Sequence, residues 1–233
     1  MEKTTSRSIT DIANEYNELY RTQPVRDDDR AYTWHAKNIK KIHPKAKTIL
    51  DIACGGGYFL RELHKVYDQK ISLRGIDISQ TALDIATVEC PQAHLEISQA
   101  EHMPFSNSSV DMITCLGSLE HFMDIPKAVK EMIRITPSDA KFYILVPNIF
   151  WYKDILNVIL KGTRISRNQT HERFASLGEW IETLEQSGLK VIKALKYNGI
   201  AKRSFKQFLK DLLIPLRFSY HFIFICKKPP SNQ

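Results

Sequence analysis

The chain has 233 residues, of which 43% are hydrophobic and 25% charged, and its formal net charge is +7. This length and balance predict one α/β domain with additions, and they disfavour a disordered or fibrous protein. The absence of a long apolar run and of an apolar signal core predicts a cytoplasmic protein, and four cysteines without CxxC or CxxH spacing predict free thiols.

Two helices are predicted ahead of the first strand. The first spans residues 8–21. Its apolar residues fall at helical spacing: Ile12, Tyr16, Leu19 and Tyr20. The aspartates at 27–29 are placed to cap the second helix, which Pro44 ends. Residues 1–45 are therefore expected to cover one side of a sheet.

Strands and helices alternate over residues 46–147. Short, apolar, β-branched segments predict five strands, which begin near Thr48, Lys70, Ala93, Val110 and Lys141. Amphipathic helices are predicted between them, with starts at Tyr58, Ser79 and Ile125. This alternation is typical of a parallel, doubly wound sheet with helices on both faces.

The last third of the chain, residues 148–233, has a different pattern. An apolar helix is predicted over residues 151–160, with a stripe formed by Trp151, Ile155, Val158 and Ile159. A capping box at Ser176 predicts a helix that ends at Gly188. Two strand-like segments, 189–197 and 220–227, flank a basic amphipathic segment that includes residues 203–213.

A glycine-rich turn follows the first strand. Residues 49–57 read Ile-Leu-Asp-Ile-Ala-Cys-Gly-Gly-Gly and place Asp51 at the carboxyl end of the strand, where open α/β sheets bind ligands. The dinucleotide fingerprint requires a further glycine, but Leu60 stands there, which disfavours NAD and FAD. Asp77 ends the second strand and is spaced to accept bonds from two ribose hydroxyls. The ligand is therefore expected to carry a free ribose.

Four motifs in this order resemble the class I S-adenosylmethionine-dependent methyltransferases of small-molecule type, a group similar to the ubiquinone and menaquinone biosynthesis enzymes. They occupy residues 49–57, 75–79, 99–111 and 116–121. Ala53 stands where the family usually has its first glycine, and Gln99 stands where members usually have an acid. The amide oxygen of Gln99 can accept a bond from the adenine amine in place of that acid.

The resemblance implies an α/β, Rossmann-like seven-stranded methyltransferase sheet with helices on both faces and a C-terminal antiparallel hairpin. Residues 1–233 would form one domain, with the cofactor core at 46–147 and an acceptor-side cap at 148–233. The cofactor would be S-adenosyl-L-methionine and the product S-adenosyl-L-homocysteine. The implied cofactor residues are Asp51, Ala53, Cys54, Gly55, Gly57, Asp77, Ile78, Gln99, Ala100, Glu101, Leu116 and Gly117, with Tyr16 and Tyr20 closing over them.

Histidines supply the candidate catalytic groups. His121, in the fourth motif, is a candidate general base or acceptor-orienting group, and the alternative is a satisfied histidine beside the cofactor. His171 and Arg173 belong to a stretch that in related enzymes lies over the acceptor, and the alternative is a structural loop. Trp151 is a further candidate for substrate contact. No metal is predicted, because Glu120 and Asp124 have too few neighbouring ligands.

The acceptor is the least determined feature. We expect a small molecule, lipid-like or a sugar, methylated at oxygen, nitrogen or carbon. From Lys190 onward the chain has ten Lys and Arg and one acid, Asp211. This excess of positive charge suits a lipid surface contacted through residues 203–213, or a solvated basic face. The alternatives are RNA methylation, for which no added RNA-binding module is visible, and a catalytically silent cofactor-binding partner. The sequence predicts no oligomeric state.

Overall fold

Apolar strands alternate with amphipathic helices and build one seven-stranded sheet. The computed structural model describes residues 8–22, 28–163, 173–199 and 213–229. The strands are β1 (Thr48–Ile52), β2 (Ser72–Asp77), β3 (His94–Ile97), β4 (Met112–Leu116), β5 (Lys141–Pro147), β6 (Lys190–Tyr197) and β7 (His221–Lys227). The helices in these ranges are α1 (Ile9–Thr22), α2 (Asp29–Ile42), α3 (Tyr58–Val66), α4 (Gln80–Glu89), α5 (Ile125–Arg134), α6 (Tyr152–Lys161) and α7 (Leu177–Gln186).

The strand order is β3-β2-β1-β4-β5-β7-β6, with β7 antiparallel to both of its neighbours. The pairs from β3 to β5 are all parallel. These observations confirm the predicted methyltransferase-type sheet and its C-terminal hairpin. The order reverses between β1 and β4, so the connections leave these two strands in opposite directions and open a crevice at their carboxyl ends.

Helices cover both faces of the sheet. On one face α5 and α7 pack their buried residues, among them Val129, Met132 and Trp180, against the strands. On the other face α2 and α3 contribute Ile39 and Leu63 to a second core. Both sets of residues recur at helical spacing, which is why the sequence pattern predicted these helices.

The predicted helix caps are present. The Asp28 side chain accepts a hydrogen bond from the backbone N–H of Arg30, and Ser79 accepts one from Ala82. Ser176 begins α7 with the predicted capping box. Asp27 lies outside the described residues. The four cysteines, all of them within the described ranges, are buried and free, as predicted.

The predicted stripe of α6 does not face the core. Val158 is 43% exposed and Ile159 is 71% exposed, whereas Asp154 is the residue of this helix that is buried. Apolar residues stand on most sides of α6, so their spacing did not identify the inner face. None of the helices in the described part of the chain is both long and apolar enough to cross a bilayer.

Candidate functional site

A cleft opens at the carboxyl ends of β1, β2 and β4, where the strand order reverses. Its cavity volume is about 180 Å³. Asp51, Asp77 and Leu116 reach it from the three strand ends. Residues of α1 line it from the opposite side. Parallel sheets place their ligand sites at this edge, so the cleft is the candidate functional site.

The turn between β1 and α3 forms one wall of the cleft. Its backbone is left-handed at Ala53 (φ +56°), Gly55 (φ +52°) and Gly57 (φ +74°). A Cβ on Gly55 would lie 2.3 Å from the Tyr20 hydroxyl, so a larger residue there would displace the Tyr20 side chain. Alanine at 53 adopts the same backbone region at a cost of about 1–2 kcal/mol.

Asp77 joins the glycine turn to the start of α4. One carboxylate oxygen accepts a bond from the Gly55 N–H and the other from the Ser79 N–H, each at 2.9 Å. Burial raises the pKa of Asp77, and these N–H groups oppose that rise by stabilising the charged form. A carboxylate has about four acceptor positions, so acceptor capacity remains for two ligand hydroxyls.

Asp51 is a second buried carboxyl group in the cleft. The Thr114 hydroxyl donates to it at 2.7 Å. Burial raises the pKa of Asp51 to about 7, and the charge of Asp77 acts in the same direction. A third acid, Glu101, also lines the cleft, whereas no Lys or Arg of the described residues does. In a protein of net charge +7, this is an acidic cleft that suits a cationic ligand.

Helix α1 is fastened over the cleft by Asn17. The side-chain oxygen of Asn17 accepts bonds from the Ser79 hydroxyl at 2.8 Å and from the Thr81 N–H at 3.1 Å. These bonds attach α1 beside Asp77 and hold Tyr16 and Tyr20 in the cleft wall. Burial raises the pKa of Tyr20, so its phenol keeps its proton as a hydrogen-bond donor.

The structure brings together most of the predicted cofactor residues. Twelve of the fourteen line the cleft: Tyr16, Tyr20, Asp51, Ala53, Cys54, Gly55, Asp77, Ile78, Ala100, Glu101, Leu116 and Gly117. Gly57 does not line it, and instead begins α3 against Ala86 of α4. Gln99 does not line it either, although its neighbours Ser98 and Ala100 do. The binding roles themselves stay predictions.

The predicted acceptor residues are more scattered. His121 ends a short 3₁₀ turn, Leu119–His121, and lines the cleft. Arg173 is exposed, and its backbone N–H donates to the Glu120 carbonyl at 3.1 Å, so its backbone adjoins that turn. Trp151 does not line the cleft, and its ring centroid lies 4.5 Å from that of Tyr220. His171 lies outside the described residues.

Apolar residues at the rim of the cleft were not predicted. The rim includes Ile9 and Ile12 from α1, and Phe122 and Met123 directly after His121. Ile12 belongs to the predicted stripe of α1, which gave no distinction between a helix packed on the sheet and one packed over a ligand. Phe122 and Met123 are two consecutive apolar residues in the loop after His121, and this pattern could have identified them as lining residues.

Asp124, three residues after His121, has structural partners. The Asp124 side chain accepts a bond from the Lys127 N–H and caps α5, and the Asp124 N–H donates to Glu101. Within the described ranges, no group of three or more His, Cys, Asp or Glu residues is placed to hold a metal ion.

Comparisons with known proteins agree with this site. Residues 50–144 match the family model described as "Methyltransferase domain". The ubiquinone biosynthesis O-methyltransferase of Hydrogenovibrio crunogenus is 28% identical over 83% of this chain and 80% of its own. The ubiquinone/menaquinone biosynthesis C-methyltransferase of Citrifermentans bemidjiense is 27% identical over 62% of this chain and 64% of its own.

The fold recurs in solved structures. A SAM-dependent methyltransferase from Aquifex aeolicus superposes with a TM-score of 0.62 at 16% identity, covering 96% of this chain and 100% of its own. At that identity the likeness shows only the arrangement of strands and helices. The chemistry of this chain is therefore argued from its own residues and from the relatives found by sequence.

Proposed function

We propose that this chain, which is a class I S-adenosylmethionine-dependent methyltransferase, methylates a small, largely apolar acceptor. The observation that carries the proposal is the apolar rim around His121. Ile9, Ile12, Phe122 and Met123 line the cleft there, and Met123 is 58% exposed. Apolar side chains that line a cleft together with a few polar groups favour an acceptor with an apolar body. Relatives whose names refer to ubiquinone and menaquinone biosynthesis support the same class.

The residues of the cleft fit the cofactor. Asp77 has acceptor capacity for two ribose hydroxyls, and Asp51 can offer a carboxylate to a cationic group. Glycine at position 55 allows the Tyr20 hydroxyl to approach the turn closely. Bound S-adenosylmethionine supplies a methyl group already activated on its sulfonium.

The protein's own task is to orient the acceptor and to exclude water. The rim residues and α1 enclose the acceptor side of the cleft, which favours a near-attack arrangement in a dry site. His121 is the group placed to take a proton from a hydroxyl or amine acceptor, because it is the histidine of the described residues that lines the cleft.

Cofactor affinity is expected to depend on pH through Asp51. Its pKa of about 7 means that half of the free protein carries a protonated Asp51 at that pH. A cationic ligand binds better to the carboxylate, so affinity should rise with pH. Below pH 7, the affinity for the cofactor should fall by nearly tenfold for each pH unit, about the limit for one titrating group. Calorimetry between pH 6 and 8 measures this dependence.

The matched variant for this prediction is Asp51→Asn, which keeps the shape of the side chain and removes its titration. Its affinity should be lower and nearly independent of pH over the same range. A slope as steep as that of the unmodified protein would show that another group is responsible.

The acceptor class can be tested with a methyl-labelled cofactor. The protein is incubated with the labelled cofactor and a cell extract, which is then separated into lipid, small-molecule and RNA fractions. We expect label in the lipid or small-molecule fraction. Label in RNA alone would overturn the proposal in favour of RNA methylation. Binding of the cofactor without label in any fraction would favour a catalytically silent protein.

His121→Ala is expected to lower the turnover number by about a hundredfold for an oxygen or nitrogen acceptor. Because the imidazole is assigned to the acceptor, cofactor affinity should stay within about threefold. His94→Ala, which removes a histidine that does not line the cleft, is the matched control and should leave turnover unchanged. Unchanged turnover in His121→Ala would make that histidine a structural neighbour of the cofactor.

A further inference from the structure

Helix α6 presents apolar side chains to solvent. Leu156, Ile159 and Leu160 are 50%, 71% and 77% exposed. Their i, i+3, i+4 spacing places them on one face of the helix, and Lys153 lies at the edge of that face. The buried residue of α6 is the polar Asp154. The orientation is therefore the reverse of that expected for a helix that contributes to a core.

Further exposed apolar residues lie beside α6. Phe150 is 50% exposed and lies two residues before the helix, and Leu213 is 81% exposed in a separate segment. The Asn148 side chain donates to the carbonyl oxygens of Arg217 and Ser219, which fastens the segment after Leu213 to the start of α6. We define the α6 surface as Phe150, Leu156, Ile159 and Leu160.

The exposed charges of helix α6 have one sign. Lys153 and Lys161 are exposed near its two ends. The one acid of the helix is Asp154, which is buried. The exposed apolar residues of α6 are therefore accompanied on the helix by two lysines and by no exposed acid.

We propose that the α6 surface docks on an anionic phospholipid bilayer. An interfacial helix inserts apolar side chains among the acyl chains while lysines near its polar face contact anionic headgroups. The α6 surface combines both features, and the positive charge complements the headgroups. Helix α6 follows the carboxyl end of β5, which is the edge of the sheet that carries the cleft. Docking would therefore bring the cleft close to the interface, where apolar acceptors dissolve. The proposal does not depend on the acceptor.

Cosedimentation with vesicles tests it. The probes are vesicles of phosphatidylcholine alone and of phosphatidylcholine with 30% phosphatidylglycerol. We expect at least tenfold stronger binding to the anionic vesicles in 0.1 M salt and loss of most of it in 0.5 M salt. The double variant Ile159→Ser/Leu160→Ser should reduce that binding at least tenfold. Val88→Ser, at an apolar residue of α4 that is 79% exposed, is the matched control and should bind as the unmodified protein does.

A charge variant separates the electrostatic contribution of the lysines from the contribution of the apolar side chains. Lys153→Glu/Lys161→Glu should abolish the preference for anionic vesicles, whereas Lys130→Glu on the exposed side of α5 should keep it. Absence of vesicle binding by the unmodified protein would overturn the proposal. So would equal binding by the Ile159→Ser/Leu160→Ser variant, or a dimer that this variant converts to a monomer in light scattering, since a second copy would then cover α6. Retained cofactor binding by each variant confirms that the variants are folded.

Discussion

Replacing Asp77 with alanine is expected to weaken S-adenosylmethionine binding by about a thousandfold. The carboxylate is buried and aligned by the N–H groups of Gly55 and Ser79. Two hydrogen bonds from ribose hydroxyls to a charged acceptor contribute about 1.5–3 kcal/mol each, and 1.4 kcal/mol corresponds to tenfold in affinity. Calorimetry on the purified protein measures the change.

The same substitution also removes the acceptor of two backbone N–H groups, so a direct effect on the ribose must be separated from a disturbed turn. The 2′,3′-dideoxy analogue of S-adenosylhomocysteine makes this separation, as in a double-mutant cycle. The unmodified protein should bind the analogue far more weakly than S-adenosylhomocysteine, and Asp77→Ala should bind both alike. Asp84→Ala, at an exposed acid of α4, should retain the discrimination. If Asp77→Ala still prefers the ribose hydroxyls, Asp77 is not their acceptor.

The sheet and the floor of the cleft were predictable because local patterns determine them. Five apolar segments alternate with amphipathic helices, and this pattern gives a parallel sheet whose carboxyl edge carries Asp51 and Asp77. The helix caps at Asp28, Ser79 and Ser176 were predictable for the same reason, since each depends on residues within one turn.

Features that depend on distant contacts were less predictable. The sequence showed that α6 is apolar, but only packing determines that Asp154 faces inward and Ile159 outward. Gly57 was predicted to bind the cofactor, yet it does not line the cleft and instead adjoins Ala86 of α4. The net charge of the chain did not indicate the charge of the cleft. The chain is basic as a whole, whereas the cleft collects three acids from strand ends and loops that are far apart in sequence.

The separation of charge has a functional consequence. A basic exterior with an acidic cleft can attract an anionic surface with one part of the molecule and a cationic ligand with another. Raised salt should therefore weaken vesicle binding at the exposed α6 surface more than cofactor binding, because screening is weaker for buried groups.

The contact of Gly57 with α4 leads to a large expected effect on stability. Gly57 has a φ of +74°, and a Cβ there would lie 2.8 Å from the Cβ of Ala86 and 2.9 Å from its Cα. Gly57→Ala therefore combines left-handed strain of about 1–2 kcal/mol with a clash that side-chain rotation cannot relieve. Overpacking of this kind costs about 1–3 kcal/mol. We expect the free energy of unfolding, measured in urea, to fall by about 3–4 kcal/mol.

Gly162→Ala is the matched control, because it introduces the left-handed backbone strain without a steric clash. Gly162 ends α6 with nearly the same φ, +72°, and no atom lies within 4 Å of a Cβ placed there. Its substitution should lower the free energy of unfolding by about 1–2 kcal/mol and leave cofactor affinity unchanged. The difference between the two variants then measures the packing of α3 against α4 at the turn. If both variants lost the same free energy of unfolding, the packing of α3 against α4 would accommodate the added methyl group without cost. In that case Gly57 would be required for its backbone conformation alone.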